Sequence, residues 1–417
     1  MEVTYEELVQ KSQENYEKIE MVLKKELKEV HLYPEDLEYM DTFGKCINCG
    51  LCISVCPVIE EVGINGFLGP REIDVSMVRN VHHVTDQVDV IFKCIGCNAC
   101  HEICPRKIPT KEIVMFLRHK LLMLDKSKVP TPLHSVMNNF DQHKMFYEPK
   151  PIEKRQKIIQ RQLKKVGLPY IPDPEKEHAD VLFYTGCKAE NRLYLMREAA
   201  KLILTKLNVD FTMLKDMVCC GYASEEMGDY ERRDKLRSEL VQKIKKVSPK
   251  YIVTICPGCT ASLKRIVEKY GLDINVKHMV EYLIDDIGLK NLTVNSNQEL
   301  VVTMQYPCNL YREFGDYIKD YFKQILENVG NATVKEASIS SKCCGGGAYV
   351  PLIYPKISNK MLKTKVDAMK EENVKVITTI CPECNLSWNT GLHLFDKEKT
   401  LELLDLFVFL AALLYSR

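Results

Sequence analysis

The hydrophobic pattern is most regular from about residue 177 to the C-terminus. There, short apolar runs alternate with longer segments whose apolar side chains recur at helical spacing. The run DVLFYTG (180–186) precedes ENRLYLMREAAKLILTKL (190–207), and ELVVTMQYPC (299–308) precedes REFGDYIKDYFKQILENV (312–329). Strands and helices that alternate at these lengths predict βαβ units around mostly parallel sheets.

The residues before this region have a different pattern. Amphipathic helices are predicted over residues 4–30 and 111–124, and they flank a loop-rich segment. Residues 126–176 are rich in Pro, Lys and Arg around KRQKIIQRQLKK (154–165). This composition predicts a solvated helix within a basic linker, and the alternative interpretation is a docking surface for an acidic partner.

Composition and charge narrow the class of protein. The chain has 417 residues, 46% of them hydrophobic, with 58 basic and 57 acidic side chains, which indicates a globular protein of two or three domains. This charge balance argues against a general nucleic-acid binder.

The N-terminus resembles no secretory signal, and the longest apolar run, Leu406 to Tyr415, is shorter than the roughly 20 residues of a membrane span. We expect a cytoplasmic protein that meets the inner face of a membrane only through a partner.

The abnormal feature is the count of 18 cysteines. Thiols normally stay reduced in the cytoplasm, so a disulfide framework is a poor explanation. Eight of the cysteines form two runs of the form C-x2-C-x2-C-x3-C-P: Cys46, Cys49, Cys52 and Cys56 before Pro57, and Cys94, Cys97, Cys100 and Cys104 before Pro105. The spacing is that of two-cluster ferredoxins, in which the fourth cysteine of each run ligates the other cluster. A pair of zinc sites is the alternative.

The ferredoxin rule predicts crossed ligand sets for two cubane [4Fe–4S] clusters. The predicted upstream site consists of Cys46, Cys49, Cys52 and Cys104. The predicted downstream site consists of Cys94, Cys97, Cys100 and Cys56.

The other ten cysteines form an internal duplication. The first copy contains Cys187, Cys219, Cys220, Cys256 and Cys259, and the second contains Cys308, Cys343, Cys344, Cys381 and Cys384, with corresponding cysteines 121 to 125 residues apart. In each copy an apolar strand leads into the C-P-x-C motif, as YIVTICPGC and VITTICPEC. Sites on parallel sheets lie beyond the C-terminal ends of the strands, where these cysteines fall.

The predicted fold class is therefore mixed, α+β and α/β, and multidomain. An α-helical, ferredoxin-like domain with two [4Fe–4S] clusters is predicted at 1–125, and a basic linker at 126–176. Two duplicated α/β domains are predicted at 177–295 and 296–417.

From about Gly44 to the C-terminus, the chain resembles the catalytic subunit of heterodisulfide reductase from methanogenic archaea. The resemblance rests on the two ferredoxin runs, on all ten cysteines of two CCG domains, and on Gly221 and Gly345 after the Cys-Cys pairs. The architecture is also similar to iron–sulfur subunits of glycolate oxidase, anaerobic glycerol-3-phosphate dehydrogenase and lactate utilisation proteins, which commonly lack part of this cysteine set. It is similar, too, to the rear half of the iron–sulfur subunit of thiol:fumarate reductase. The first 45 residues contain no cysteine and cannot supply that protein's [2Fe–2S] domain.

The resemblance implies that each five-cysteine set ligates one non-cubane [4Fe–4S] cluster. It further implies that the two clusters cleave the mixed disulfide of coenzyme M and coenzyme B, a step of methanogenesis, with electrons supplied through the two cubanes. The substrate is anionic, and four basic residues beside cluster cysteines are candidates for binding it, with ordinary surface charge as the alternative: Lys188, Lys264, Arg265 and Lys342.

Three other features have simpler interpretations. We interpret His278, at the start of a predicted helix, as a packed or capping residue, with a proton donor as the alternative. The segment LELLDLFVFLAALL (401–414) is predicted to be mainly a core helix that could also dock on a membrane partner. Residues 345–347, three glycines without a following Lys-Ser/Thr, are predicted to make room around a cluster rather than to bind phosphate.

Two classes of function remain. The first is a catalytic disulfide reductase subunit that receives electrons from a cytochrome b, a soluble flavoprotein or a hydrogenase. The second is an electron-transfer subunit whose partner flavoprotein acts on fumarate, a hydroxy acid or glycerol phosphate. Retention of all ten CCG cysteines favours the first class. No flavin or nicotinamide motif is expected in this chain, and no thiol is left for a disulfide.

Overall fold

The fold was analysed in a computed structural model, which describes residues 44–77, 84–292, 300–330 and 332–416. The predicted helix at 4–30 lies outside the described residues. The first described unit is helical and carries the two ferredoxin runs. Its α-helices, and those of the following linker, are α1 (Leu51–Ser54), α2 (Pro57–Gly66), α3 (Gly69–Glu72), α4 (Val88–Lys93), α5 (Ala99–Ile103), α6 (Thr110–Leu124), α7 (Pro132–His143) and α8 (Ile152–Lys165).

The first cysteine-rich copy alternates strands and helices as its sequence predicts. Its elements in chain order are β1 (Val181–Tyr184), α9 (Cys187–Asn191), α10 (Tyr194–Lys206), β2 (Phe211–Thr212), α11 (Tyr222–Met227), α12 (Tyr230–Val247), β3 (Tyr251–Thr254), α13 (Pro257–Lys269), β4 (Asn275–His278) and α14 (Met279–Tyr282).

The second copy repeats this order. Its elements are β5 (Leu300–Met304), α15 (Cys308–Phe314), α16 (Tyr317–Gly330), β6 (Ala332–Lys335), α17 (Val350–Ile353), α18 (Pro355–Glu371), β7 (Val376–Thr379), α19 (Pro382–Phe395), β8 (Glu402–Asp405) and α20 (Leu406–Tyr415).

Each copy is built around a four-stranded parallel sheet. The strand order is β2-β1-β3-β4 in the first copy and β6-β5-β7-β8 in the second, which is the same order in both. All six strand pairs are parallel. The predicted fold class is confirmed, and the internal duplication inferred from cysteine spacing extends to the topology.

Two predicted helices differ from the structure in detail. The segment 312–329 is divided between α15 and α16, because Gly315 adopts a φ of 122° between them. The segment 401–414 begins as the edge strand β8, and only its second part is the helix α20. Strand β8 pairs with β7, as β4 pairs with β3 in the first copy, and this tertiary pairing overrides the helix predicted for the start of the segment.

The two copies are joined through α10 and α20, which pack against each other. Leu202 and Ile203 of α10 and Leu410 and Ala411 of α20 are fully buried in one shared core. The Tyr415 hydroxyl donates a hydrogen bond to the Leu202 carbonyl over 3.2 Å. Helix α20 is therefore chiefly a core helix, as predicted. Among the described residues, no helix combines the length and the apolar character needed to cross a bilayer.

The helical unit packs closely on both copies. A Cβ at Gly228, whose φ is +86°, would lie 2.3 Å from the backbone nitrogen of His119 in α6. A Cβ at Gly347 in the second copy would lie 2.6 Å from the carbonyl oxygen of Ile95. Only a residue without a side chain fits such approaches. The two glycines therefore let the ferredoxin runs lie directly against the cysteine-rich copies. We retain the predicted domain boundaries, at 125, 176 and 295, as a proposal.

Candidate functional site

All ten cysteines of the duplicated sets line one cavity between the two copies. Its volume is about 180 Å³. The cysteines on its wall are Cys187, Cys219, Cys220, Cys256 and Cys259 from the first copy and Cys308, Cys343, Cys344, Cys381 and Cys384 from the second. The two sets face each other at the C-terminal ends of their parallel strands, where the sequence predicts a site.

Local backbone structure explains how each cysteine reaches the cavity. Cys187 and Cys308 begin helices α9 and α15, directly after the first strand of each copy. Cys256 and Cys381 are the N-cap residues of α13 and α19, and a proline at the first helical position follows each. Proline is pre-organised for that position, so the C-P-x-C motif places both of its cysteines on one helical turn that faces the cavity.

The thiols within each set are in contact. Cys220 Sγ lies 3.5 Å from Cys259 Sγ. Hydrogen bonds from Cys219 and Cys259 hold the pKa of Cys220 well below its ordinary value. In the second copy, hydrogen bonds from Cys343 and Cys384 do the same for Cys344. The two sets thus repeat each other in thiol contacts, and each offers five mostly buried sulfur donors to a soft metal centre.

The ferredoxin runs line two smaller cavities in the crossed pattern. Cys104 shares a cavity of about 20 Å³ with Cys46, Cys49 and Cys52. Cys56 shares a cavity of about 30 Å³ with Cys94, Cys97 and Cys100, and Cys100 also borders the first cavity. The structure therefore brings together the cysteines of both predicted sites, and their ligation of clusters stays a prediction.

The two ferredoxin loops have the same backbone conformation. Positive φ values flank the middle cysteine of each loop, at Asn48 and Gly50 in the upstream loop (46–52) and at Gly96 and Asn98 in the downstream loop (94–100). A short helix then begins at the residue directly before the third cysteine of each loop. These reversals wrap the chain around a small space lined with sulfur, and the donor sets fit two iron–sulfur cubanes.

Iron counting in double variants will test the crossed ligand sets. If each site binds four irons, Cys56→Ala will lower the iron content by about four atoms per chain. Adding Cys97→Ala should remove no further iron, since both residues belong to the downstream site. Adding Cys49→Ala instead should remove about four more, since that residue belongs to the upstream site. The opposite pattern of additivity would show that each run holds its own cluster.

The downstream site adjoins the second cysteine-rich copy. A hydrogen bond with Cys343 lowers the pKa of Cys97 to about 6. Arg312 of α15 donates to the Cys97 carbonyl over 3.1 Å and to Glu102 over 2.7 Å. The upstream site lies nearer the surface, with Cys49 exposed. Three of the four sites therefore follow one another inwards: the upstream site, the downstream site and the set of the second copy.

The large cavity contains charged and aromatic residues besides the cysteines. Lys188 of the first copy forms an ion pair with Glu383 of the second copy. Phe146 and Tyr147 also line the cavity, and so does Glu226, whose pKa is raised by burial. The sequence offers no local signal for these last three residues, because only tertiary packing brings the linker and α11 to the cavity.

Of the four predicted substrate-binding cations, only Lys188 lines the cavity. Lys264 pairs with Glu281 over 3.7 Å and lies over the Phe314 ring. Arg265 pairs with Glu225 and Glu313, and Lys342 pairs with Glu60 on the surface. The ion pairs of these three residues stabilise packing between elements. For all four cations, a part in substrate binding stays a prediction.

His278 is a capping residue, the first of its two interpretations. Its Nδ1 accepts a hydrogen bond from the Val280 backbone over 3.4 Å, and its own backbone N–H donates to Glu281 over 2.8 Å. Burial lowers the pKa of His278 to about 3, so the ring is neutral at ordinary pH.

The three glycines after the second Cys-Cys pair lie where the sequence predicts. Gly345 has a φ of +79° directly after the pair, and Gly346 and Gly347 line the cavity, as expected for glycines that make room for a cluster.

Comparison with protein families matches all three units. The cysteine-rich domain (CCG) family matches residues 181–264 and 302–388, and the 4Fe-4S dicluster domain family matches residues 42–108. The dicluster match favours iron–sulfur clusters over the zinc alternative.

Several curated relatives come from methanogens. The chain is 29% identical to a fumarate reductase (CoM/CoB) subunit of Methanothermobacter marburgensis, over 51% of this chain and 42% of the relative. It is 26% identical to an uncharacterized iron–sulfur protein of Methanococcus maripaludis, over 92% of this chain and 75% of the relative. It is also 26% identical to a dihydromethanophenazine:CoB–CoM heterodisulfide reductase subunit of Methanosarcina acetivorans, over 54% and 57% respectively. The matched region thus spans about half the length of two of these relatives.

A solved structure has the same general fold. The crystal structure of a hypothetical protein from Helicobacter pylori aligns with 97% of this chain and 76% of its own, with a TM-score of 0.50 and 9% sequence identity. At this identity the likeness concerns the fold alone.

Proposed function

This chain belongs to the family of iron–sulfur proteins that join a 4Fe-4S dicluster domain to two cysteine-rich domains and that include heterodisulfide reductase subunits, and we propose that it is the catalytic subunit of a disulfide reductase. The proposed substrate is the mixed disulfide of coenzyme M and coenzyme B. The observation that carries the proposal is that both complete five-cysteine sets line one cavity.

The proposed cofactors are two cubane and two non-cubane [4Fe–4S] clusters. The crossed ferredoxin sets would hold the cubanes, and each five-cysteine set would hold one non-cubane cluster. When bound, such clusters supply one-electron carriers whose potentials depend on local charge and hydrogen bonds. The contact between Cys97 and Cys343 supports a path in which electrons pass from the downstream site to the second copy.

The geometry suits cleavage of a disulfide. The disulfide takes up two electrons and two protons, its S–S bond breaks, and two thiols leave. Opposed cysteine sets allow each substrate sulfur to face one set. Phe146, Tyr147 and Tyr349 give the cavity apolar walls, and the Lys188–Glu383 ion pair spans it from one copy to the other. A substrate arm with an acidic group would compete with Glu383 for the Lys188 ammonium.

The proposed function also requires a redox partner that supplies electrons. Disulfide reduction consumes electrons, and the described residues contain no flavin-binding motif. We therefore propose a redox partner, either a membrane cytochrome b or a soluble flavoprotein or hydrogenase, that docks near the exposed upstream site. A cytochrome partner would hold this chain at the inner face of the membrane.

A second candidate function is electron transfer alone, as an iron–sulfur subunit of a flavin-dependent dehydrogenase or reductase. Two relatives favour it by name, the fumarate reductase (CoM/CoB) subunit and an EtfAB:quinone oxidoreductase that is 24% identical over 56% of this chain. In that case the cavity would pass electrons without releasing thiols from a disulfide.

Addition of the coenzyme M–coenzyme B disulfide to anaerobically purified, chemically reduced protein tests the proposal. We expect two free thiols per disulfide consumed, with loss of the signals of reduced clusters in the paramagnetic resonance spectrum. The control omits the protein and retains the reductant. If the protein binds its clusters, yet those clusters stay reduced and no thiol appears, the chain is an electron-transfer subunit rather than a disulfide reductase.

A further inference from the structure

Lys365 is a buried cation behind the second cysteine-rich set. It lies on the inner face of α18 with 3% of its surface exposed. Its ammonium donates hydrogen bonds to the carbonyls of Ile339 over 2.9 Å and Lys342 over 3.0 Å. It also lies 5.7 Å from the ring centroid of Trp388, which is fully buried. Two hydrogen bonds and the Trp388 ring thus hold the ammonium in place, next to the loop that carries Cys343 and Cys344.

No carboxylate within the described part of the chain forms an ion pair with Lys365. A buried ammonium without a counter-charge is costly, and two carbonyl dipoles offset only part of that cost. Burial lowers the pKa of Lys365 to about 8, whereas negative charge on Cys344, Cys343 and Cys384 would raise it. The groups placed to balance this ammonium are therefore the sulfur atoms of the second set.

The first copy is arranged differently. Arg237 lies beside its Cys-Cys pair and donates to the Cys220 carbonyl over 3.4 Å. The same guanidinium is paired with the buried carboxylate of Glu225 over 2.8 Å. Glu225 also pairs with Arg233 and Arg265, each of which has a further acidic partner. The cations near the first set are thus matched by carboxylates, whereas Lys365 near the second set is not.

We propose that Lys365 raises the reduction potential of the iron–sulfur group held by the second copy above that of the group held by the first. This inference rests on the proposed function, since it requires that each five-cysteine set binds a cluster. An electron adds more easily to a thiolate-bound centre beside an uncompensated positive charge, and the low local dielectric strengthens the effect. Lys365 would act on the iron–sulfur group through its positive charge, without contacting the disulfide.

The difference in reduction potential would set the order in which the two copies are reduced, because the second copy lies next to the downstream site. The second set adjoins Cys97 of the downstream site, so on the proposed electron path it would be the first cysteine-rich set to receive an electron. With the higher potential there, a group held by the second copy would retain the first electron until another arrives. The two copies, alike in topology, would then differ in their order of reduction.

A reductive titration of the anaerobic full chain, followed by low-temperature paramagnetic resonance, tests the inference. We expect the two cysteine-rich centres of the unaltered protein to have separate midpoint potentials. In Lys365→Gln the higher one should fall by at least about 59 mV, a tenfold change in the one-electron equilibrium constant. Glutamine removes the charge and retains an N–H donor for the carbonyls, on a side chain that is one atom shorter and carries an amide oxygen. Lys365→Arg should keep the midpoint close to its original value.

Lys363→Gln is the matched control, because Lys363 is on the same helix but exposed and paired with Asp367. It should leave both midpoints unchanged. Cys259→Ala, which removes a first-copy ligand, should leave the higher midpoint in place. The inference is overturned if the two cysteine-rich centres of the unaltered protein share a single midpoint potential. It is also overturned if the higher midpoint potential is unchanged in a Lys365→Gln chain that has bound its iron. Absence of iron from the cysteine-rich sets of the unaltered protein would instead overturn the proposed function.

Discussion

Replacing Arg118 with methionine should lower the free energy of unfolding by about 3–5 kcal/mol, the largest effect on stability that we expect from one substitution in the helical unit. Arg118 lies on α6 with 1% of its surface exposed. Its guanidinium donates to the carbonyls of Ile91, Cys94 and Glu226 at 2.6–3.2 Å. These carbonyls belong to α4, the downstream loop and α11. Methionine fills a similar volume but leaves three buried acceptors without a donor.

The measurement is the unfolding midpoint in urea under anaerobic conditions, with iron release followed in parallel. Arg118→Lys should be intermediate, because one ammonium cannot replace the planar fork that reaches three carbonyls. Met123→Ala, at an exposed position of the same helix, serves as the control and should change stability by no more than about 0.5 kcal/mol. Equal midpoints for Arg118→Met and Met123→Ala would contradict the role given to Arg118.

The periodicity of the sequence was sufficient to predict the main elements of the fold. The helix predicted at 111–124 is α6, and the strand–cysteine–helix order predicted twice is present in both copies. The helix predictions are wrong in detail where long-range strand pairing or a single backbone angle determines the structure. Residues 402–405 directly precede an apolar run that predicts a helix, yet they complete a sheet. Gly315 divides a segment whose periodicity alone predicts one helix.

The candidate site was predictable in a different way. Cysteine spacing predicted which thiols would be neighbours, because the spacing of ligands reflects the geometry of the loop that holds them. Spacing gives no information about what surrounds the thiols. Phe146 and Tyr147 reach the cavity from the linker, and Lys365 is one of several lysines on an amphipathic helix, where a solvent-facing position is the usual outcome. Only the tertiary structure distinguishes it from Lys363.

Loss of either cysteine-rich set should abolish disulfide cleavage, even though the other set remains intact. Cys259 and Cys384 occupy equivalent positions of the two C-P-x-C motifs, 125 residues apart, and both line the shared cavity. Cys259→Ala and Cys384→Ala should each lower the iron content by about four atoms per chain. Each should also lower the rate of disulfide reduction by more than about 100-fold, since loss of mere outer-shell partners already costs 10–100-fold at metal sites.

The physical reason is the electron count. Breaking one S–S bond to two thiols takes two electrons, and iron–sulfur centres deliver electrons singly. On the proposed function, a chain with one intact set would therefore supply only half of what the bond requires at one time. Thr390→Ala, at an exposed position on the same helix as Cys384, is the control and should retain full rate and full iron. Oxidation of a one-electron dye through the ferredoxin sites should survive in both cysteine variants. A fall of only about half in either variant would mean that each set cleaves the disulfide by itself, and the opposed arrangement of the two copies would then need another explanation.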